Sequence, residues 1–237
     1  MKTIQPILTI TGSDSTGGSG VQADIRTISE LGGYAVSAIT SITVQNTLGI
    51  QAFFDVPAEI VSGQIEAIMN DIQPNIVKVG MIRRVETLEV VIDALTKYRP
   101  DYIIYAPAIW SSNGDALMTE DVVSQIRYRL LPLCSVVVAR KKENDIILQD
   151  TKLLRMAEDN GMKVFLLDNA NSHGLTNRFS SALAVYLNQG SKMDEALAKA
   201  QDFINVELTR ESNLQGRSSE LYTRHFTKQI CQDFIIL

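Results

Sequence analysis

Cysteine and histidine are scarce in this chain. Its 237 residues include two histidines and two cysteines, Cys134 and Cys231, which lie far apart with no C-x-x-C or Cys/His grouping around them. Disulfide scaffolds and zinc sites need closely spaced sets of such residues. We therefore expect two free thiols, and neither a disulfide framework nor a zinc site.

An excess of positive charge and a long apolar run are also missing. Lys and Arg number 22 against 27 Asp and Glu, a formal net charge of −5, which argues against a broad nucleic-acid-binding surface but leaves room for a local basic patch. No apolar run approaches the roughly 18 residues of a membrane span, and the run near the N-terminus is too short for the core of a signal peptide. These absences predict a cytoplasmic protein that binds neither nucleic acid nor membrane.

What the sequence does contain is an alternation of short β-branched runs with longer amphipathic segments. Such alternation is typical of an α/β fold with a largely parallel sheet. The predicted strands are Pro6–Thr11, Ala35–Val44, Ile50–Phe54, Ile76–Val79, Tyr102–Ala106, Val136–Ala139 and Val164–Leu167. The predicted helices are Val21–Leu31, Ala58–Asp71, Val85–Tyr98, Glu120–Leu131, Thr151–Asn160, Asn177–Gln189 and Met193–Leu208.

The chain shows no internal division. No low-complexity linker, repeat or long charge run separates two parts, so we expect a single domain over residues 1–237. The periodic pattern is weakest after Leu208, where arginines stand among polar residues. Residues 210–237 are therefore predicted to be a C-terminal appendage on the surface of that domain.

The most informative stretch is GSDSTGGSG (residues 12–20), between the first strand and the first helix. Its four glycines let backbone N–H groups approach a ligand without interference from Cβ, and the helix N-terminus that follows favours an anion. The spacing is neither that of a dinucleotide-binding fingerprint nor that of a Walker P-loop. It predicts a ligand-binding loop of another kind, the alternative being a plain turn capped by Asp14 or Ser19.

Two further stretches end predicted strands with polar or small residues. In TVQNT (residues 43–47), Gln45 offers a donor pair and an acceptor, which suits an aminopyrimidine-like ring edge, although Gln45 and Asn46 fit a turn equally well. In KVGM (residues 78–81), Gly80 permits close approach and Met81 forms a flexible apolar wall. Because ligands collect at the carboxyl ends of parallel strands, we expect the three stretches to share one site.

Together these blocks resemble the hydroxymethylpyrimidine/phosphomethylpyrimidine kinase family of thiamine biosynthesis. The resemblance rests on GSDSTGGSGVQAD (residues 12–24), AITSITVQNT (residues 38–47) and VKVGM (residues 77–81), and it fades in the rest of the chain. It implies a three-layer ribokinase-like α/β fold, with a mostly parallel central sheet flanked by helices. It also implies that ATP, with Mg²⁺, phosphorylates a hydroxymethyl group on an aromatic ring. Pyridoxal kinase is a close relative of this family, and its members commonly form homodimers.

The resemblance implies a complete substrate side and an altered nucleotide side. The substrate-binding positions correspond to Gly12, Asp24, Gln45 and Met81, and all four residues match the family. An acidic residue before the family's Pro-Val-Met is missing from APAI (residues 106–109). Its Thr-Pro-Asn-x-x-Glu block reads VARKKE (residues 138–143), which keeps Glu143 but places Arg140 at the asparagine.

The remaining departures lie near the start of the sixth predicted helix. The family's His-Gly-Thr-Gly-Cys-Thr aligns with HGLTNR (residues 173–178), and its Lys-Gly-Gly-His hairpin is missing because residues 166–171 run almost directly into His173. We expect Gly174, Thr176 and Asn177 to form a remodelled catalytic anion hole, although an amide cannot accept a proton as a carboxylate or thiolate does. On the nucleotide side we expect Glu143 to help hold the metal, with Arg140 beside it.

Three groups of side chains keep two interpretations each. The side chain of His173 is interpreted either as a phosphate contact or as a helix cap. Arg140, Lys141 and Lys142 form a phosphate-binding cluster or a solvated basic turn. Trp110 stacks on a ring or packs in the core or an interface.

The sequence thus favours a kinase that uses Mg-ATP to phosphorylate hydroxymethylpyrimidine or its monophosphate. One alternative is a catalytically impaired member that binds a pyrimidine or pyridoxal-like ligand as a sensor or regulatory protein. A weaker alternative keeps the kinase but moves its substrate to pyridoxal or pyridoxamine. The substrate side predicts ligand binding in every case, so the nucleotide side separates them.

Overall fold

The strands and helices follow the predicted alternation. A computed structural model describes residues 5–46, 48–111, 114, 116–147, 155, 159, 161–167 and 173–213. Its strands are β1 (Pro6–Ser13), β2 (Tyr34–Asn46), β3 (Gly49–Asp55), β4 (Ile76–Val79), β5 (Tyr102–Tyr105), β6 (Val136–Arg140) and β7 (Lys163–Leu167). Its helices are α1 (Gly20–Glu30), α2 (Ala58–Asp71), α3 (Val85–Tyr98), α4 (Glu120–Gln125), α5 (Lys141–Ile147), α6 (Leu175–Asn188) and α7 (Met193–Asn213).

The strands form one mostly parallel sheet in the order β3-β2-β1-β4-β5-β6-β7. Only the β2–β3 pair is antiparallel among the described strands. The chain leaves β1 toward β2 on one side and returns to β4 on the other, so the strand order reverses between β1 and β4. Ligands of open α/β sheets bind at the carboxyl ends of the strands beside such a reversal.

Helices cover both faces of the sheet and enclose two apolar cores. One core packs α2, α3 and α4 against side chains such as Leu8 and Ile10 of β1. The other packs α1, α6 and α7 against alternate strand residues such as Ile7 and Ile76. Strand side chains alternate between the two faces of a sheet, which explains why one strand supplies both cores. The predicted three-layer architecture is confirmed.

Two helical segments differ from prediction. The helix expected over Glu120–Leu131 ends as an α-helix at Gln125 and continues as a π turn and a short 3-10 turn that contains Pro132. Proline cannot donate a backbone hydrogen bond, so a regular helix does not pass through it. Helix α5 was not predicted, because seven residues are too few to show helical periodicity.

Some of the predicted segments extend beyond the residues that the structure describes. Helix α7 continues to Asn213, beyond the predicted end at Leu208, while residues 214–237 lie outside the described residues. Most of the helix predicted at Thr151–Asn160 and residues 168–172, where the family hairpin would stand, lie outside them as well. Cys134 is buried and unpaired. In the described part of the chain, no helix has both the length and the apolarity to span a bilayer.

Candidate active site

A cleft opens where the carboxyl ends of β1, β2 and β4 meet the start of α6. The three predicted strand-end stretches therefore share one site, as expected. Most of the predicted site residues line its wall: Gly12, Gln45, Met81, Arg140, Glu143, Gly174, Thr176 and Asn177. Asp24 lies outside this wall.

Asp14 organises the glycine-rich loop on one side of the cleft. Its Oδ1 accepts hydrogen bonds from the backbone N–H (2.9 Å) and hydroxyl (2.8 Å) of Thr16. Its Oδ2 accepts from the backbone N–H (2.9 Å) and hydroxyl (2.8 Å) of Ser19 and lies 2.8 Å from Nε2 of His173. Burial raises the pKa of Asp14, but the bonds with His173, Thr16 and Ser19 outweigh it and hold the pKa well below its usual range. The carboxylate thus stays charged and fixes the loop, whereas Ser19 makes no side-chain cap on α1.

Glycine is required where the loop meets the start of α6. Gly174 has φ +74°, and a Cβ built there would lie 1.8 Å from the carbonyl oxygen of Gly18. Gly20 has φ +59°, and its Cβ would lie 2.4 Å from the carbonyl oxygen of Gly12. A side chain at Gly174 would push the start of α6 away from the loop, and one at Gly20 would distort the loop itself.

The ring side of the cleft combines fixed backbone with available side chains. The hydroxyl of Ser15 donates to the carbonyl of Gln45 (2.6 Å) and accepts from its N–H (3.0 Å). The Gln45 side-chain amide lines the cleft and has no hydrogen-bond partner in the described part of the chain. The Met81 N–H donates to the hydroxyl of Thr11 (3.1 Å), and the Thr40 hydroxyl donates to the Met81 carbonyl (2.7 Å). Both strand ends are thus anchored while the two side chains face the cleft.

Asp24 lies one layer beneath the cleft in a fully buried polar network. Its Oδ2 accepts from Lys78 Nζ (2.7 Å) and from the Thr9 hydroxyl (2.5 Å). Its Oδ1 accepts from Nδ2 of Asn177 (3.1 Å) and from the Ser181 hydroxyl (3.0 Å). Asp24, which was expected to bind substrate, therefore contacts Asn177. Because Asp24 takes one of the two N–H donors of the Asn177 amide, the carbonyl oxygen and the second N–H are left for a ligand.

The start of α6 supplies backbone donors to the cleft. Residues Gly174 to Asn177 line it, and Gly174 is the residue before the first helical position. The N–H groups of residues 175–177 have no partner among the described residues, as is usual for the first turn of a helix. Such groups attract anions, and the positive end of the helix dipole adds to the attraction. This arrangement fits the predicted anion hole.

Arg140 and Glu143 form an ion pair at the cleft, in which Glu143 is buried and Arg140 is partly exposed. Arg140 Nε donates to Glu143 Oε2 (2.9 Å), and Arg140 Nη2 donates to Glu143 Oε1 and to the carbonyl of Trp110 (3.2 Å). The bond to Glu143 raises the pKa of Arg140. Both oxygens of Glu143 accept hydrogen bonds from Arg140, so the positive charge of this arginine competes with the predicted metal contact. No group of three His, Cys, Asp or Glu side chains that could hold a metal occurs among the described residues.

The structure shows the surroundings of the three groups of side chains for which the sequence allowed two interpretations. His173 pairs with Asp14 and precedes the start of α6. The basic segment divides, since Arg140 lines the cleft while Lys141 and Lys142 are exposed. Trp110 lines the cleft, packs against the core and lies under Lys142, whose Nζ is 4.3 Å from the indole centroid.

Sequence reasoning did not assign roles to two residues of this site. Asp14 was considered only as a cap, although an acidic residue amid serine, threonine and glycine is a signal for a loop wrapped around a carboxylate. Lys78 was read only as part of a strand end. A lysine within the buried run IVKV needs an anionic partner, and this signal points to Asp24.

Comparisons with known proteins agree with this geometry. A family model described as phosphomethylpyrimidine kinase matches residues 14–164, more than half of the chain. The hydroxymethylpyrimidine/phosphomethylpyrimidine kinase of Rhizobium meliloti (strain 1021) is 31% identical over an alignment 256 residues long. The alignment covers 92% of this chain and 96% of that protein. The thiamine biosynthesis bifunctional protein ThiED of Geobacter sulfurreducens is also 31% identical; the match covers 84% of this chain and 48% of that protein, so the chain spans about half its length.

A solved structure confirms the fold. The phosphomethylpyrimidine kinase of Clostridium difficile 630 aligns with a TM-score of 0.75 at 32% identity, covering 86% of this chain and 99% of that one. The ribokinase-like α/β fold implied by the resemblance is therefore present. On the family model, the full-length relative and this structure together, the chain belongs to the phosphomethylpyrimidine kinase family.

Proposed function

We propose that the protein phosphorylates the hydroxymethyl group of hydroxymethylpyrimidine, or of its monophosphate, with ATP. The hydroxymethyl oxygen forms a bond to the γ-phosphorus, the bond from that phosphorus to ADP breaks, and the hydroxyl proton passes to water. The carrying observation is that the unpartnered Gln45 amide and the unpartnered backbone N–H groups of α6 face one cleft. The first suits an aminopyrimidine edge and the second suits a phosphoryl group.

The chemistry asks for positioning and charge more than for a strong base. Phosphoryl transfer runs through a loose transition state in most analyses, so catalysis depends mainly on alignment and on stabilising the equatorial oxygens. Asn177 then holds its carbonyl oxygen toward the acceptor hydroxyl while Asp24 fixes its amide from below. The amides of residues 175–177 bind the phosphoryl oxygens.

The proposed co-substrate is ATP in its Mg²⁺ complex. The kinase family implies ATP, whereas the carboxylates of Asp14, Asp24 and Glu143 are engaged by His173, Lys78 and Arg140. No step is therefore assigned to the metal. Use of ATP and the unpaired thiol of Cys134 support a cytoplasmic location.

The kinase is favoured over a catalytically impaired sensor. The chain matches a kinase along nearly its full length, and the phosphoryl-binding end of the cleft keeps its backbone donors. Measuring ADP release with hydroxymethylpyrimidine or pyridoxal as acceptor, together with separate calorimetric titrations of each acceptor and of Mg-ATP, tests the proposal. Hydroxymethylpyrimidine binding without nucleotide binding or turnover would overturn the proposal in favour of a sensor protein. Preferential turnover of pyridoxal would instead favour a pyridoxal kinase.

Gln45→Ala tests the ring subsite. We expect about ten- to a hundredfold weaker hydroxymethylpyrimidine binding, because two hydrogen bonds to the ring edge are lost. Calorimetry measures this directly. Gln51→Ala is the matched control, since Gln51 is exposed on β3 and lies outside the cleft. Equal affinity of the Gln45→Ala variant and the parent protein would show that the ring binds elsewhere.

We further propose a homodimer joined through the β2–β3 hairpin. Ile42, Val44 and Phe54 are 45%, 53% and 61% exposed, and Ile42 and Phe54 are cross-strand neighbours on the edge of the sheet. An apolar face on an edge strand invites pairing with a second copy. We expect sedimentation of the protein as a dimer and of Val44→Asp/Phe54→Asp as a monomer. Val206→Asp on α7 is the control, because it adds charge at another exposed apolar position; a parent protein that sediments as a monomer contradicts the proposal.

A further inference from the structure

Arg140 presents one edge of its guanidinium to the cleft. Three of its five side-chain N–H groups are engaged, by the two oxygens of Glu143 and by the carbonyl of Trp110. Nη1 has no partner among the described residues, and the side chain lines the cleft and is 24% exposed. The edge that carries Nη1 is therefore available to a ligand.

Glu143 holds this guanidinium in place from behind. Its side chain is 1% exposed, and it also accepts from the backbone N–H of Arg140 (3.3 Å). The Trp110 carbonyl binds the same guanidinium from a second segment of the chain. A planar group clamped at Nε and Nη2 loses little further freedom when it binds a phosphate through the remaining edge.

The hydrogen-bonding groups left open in the cleft indicate the ligand class. The carboxylates of Asp14 and Glu143, which line the cleft, are paired with His173 and Arg140. Because Glu143 offsets the charge of Arg140, the cleft offers an anion mainly hydrogen-bond donors, namely the Nη1 edge of Arg140 and the amides at the start of α6. Donors of this kind suit the oxygens of a phosphate chain.

We propose that Arg140 binds the phosphate chain of the nucleotide through Nη1, with Glu143 as its positioning residue. This inference rests on the proposed kinase function, because that function places a nucleotide in the cleft. It assigns to an arginine side chain charge compensation that a protein-held metal would otherwise give. Glu143 acts through Arg140 and makes no contact with the nucleotide.

Inorganic tripolyphosphate in the presence of EDTA is the probe, because it carries the phosphate chain without a metal, an adenine or a substrate ring. Calorimetry should detect binding to the parent protein. We expect about ten- to a hundredfold weaker binding by Arg140→Gln/Glu143→Gln, because charge-assisted hydrogen bonds are lost. This double variant avoids leaving a lone buried carboxylate, which would risk unfolding. The matched control is Arg129→Gln, which removes a positive charge outside the cleft.

A second variant separates the roles of the two residues. Glu143→Gln removes a negative charge near the anion, which favours binding, but it also weakens the clamp on Arg140; we expect the loss of positioning to dominate and tripolyphosphate affinity to fall by less than in the double variant. If Glu143 instead held a metal, the parent protein would bind tripolyphosphate only when Mg²⁺ was added, and Glu143→Gln would not change binding in EDTA. Either of these results would overturn the inference.

Ring binding and turnover distinguish this inference from the proposed function. Turnover of hydroxymethylpyrimidine with unchanged tripolyphosphate affinity in the double variant overturns the Arg140 assignment and leaves the kinase standing. Arginine-dependent tripolyphosphate binding without hydroxymethylpyrimidine binding or turnover overturns the kinase and supports the anion site. Both variants should bind hydroxymethylpyrimidine as the parent protein does, since Gln45 is unaltered.

Discussion

Lys78→Met is expected to lower the free energy of unfolding by about 3–5 kcal/mol, since it leaves a buried charge without its partner. Lys78 and Asp24 are both fully buried, and their charged atoms lie 2.7 Å apart. Methionine keeps most of the side-chain volume, so the loss comes mainly from the uncompensated carboxylate. Urea unfolding followed by circular dichroism measures the change through the transition midpoint.

Two further variants identify the cause of this loss. Lys78→Met/Asp24→Asn removes both charges and keeps hydrogen-bonding atoms near Thr9, Asn177 and Ser181, so it should recover much of the stability. Lys97→Met breaks an exposed ion pair with Glu66 and should leave the midpoint unchanged. A Lys78→Met midpoint equal to that of the parent protein would contradict the burial of this pair.

Gly174→Ala is expected to reduce kcat by about a hundredfold, because a shift near 1 Å at a reacting centre has effects of that size. The new Cβ would lie 1.8 Å from the carbonyl oxygen of Gly18, so the start of α6 must move away from the glycine-rich loop. Tripolyphosphate binding in EDTA should weaken as well, whereas hydroxymethylpyrimidine should bind at Gln45 as before. Steady-state kinetics and calorimetry measure the three quantities.

Gly190→Ala is the matched control for this variant. Gly190 also has a positive φ, of +93°, but a Cβ there would meet nothing within 4 Å. Both substitutions therefore carry backbone strain, and only Gly174→Ala carries the collision. Similar kinetics for the two variants would mean that the contact between Gly174 and Gly18 does not shape the cleft.

Local sequence patterns predicted most of the fold and the meeting of the three strand-end stretches in one cleft. Buried strands such as Ile76–Val79 and amphipathic helices such as Val85–Tyr98 are recognisable because their periodicity is contained in the segment itself. One rule was enough to predict that Gln45, Met81 and the glycine-rich loop lie close together. Ligand-binding groups gather at the carboxyl ends of parallel strands.

Pairing between distant charged residues was beyond the reach of such patterns. The resemblance implied that Asp24 touches substrate, yet the side chains around it come from β1, β4 and α6. The resemblance implied a metal near Glu143 but not its ion pair with Arg140, a residue that departs from the family motif. Which partner a buried carboxylate finds depends on the packing of several segments, and the spacing of residues along the chain does not contain that information.

The contact between Asp14 and His173 also bears on how the protein folds. It joins residues 159 positions apart, so the cleft is complete only after β7 has been added and the chain has returned to the first loop. Contacts of such high sequence separation form slowly, because the loop between them must close first. The two sides of the cleft therefore exist together only in the folded chain, so we expect a ligand that bridges them to bind the folded chain alone and to stabilise it by mass action.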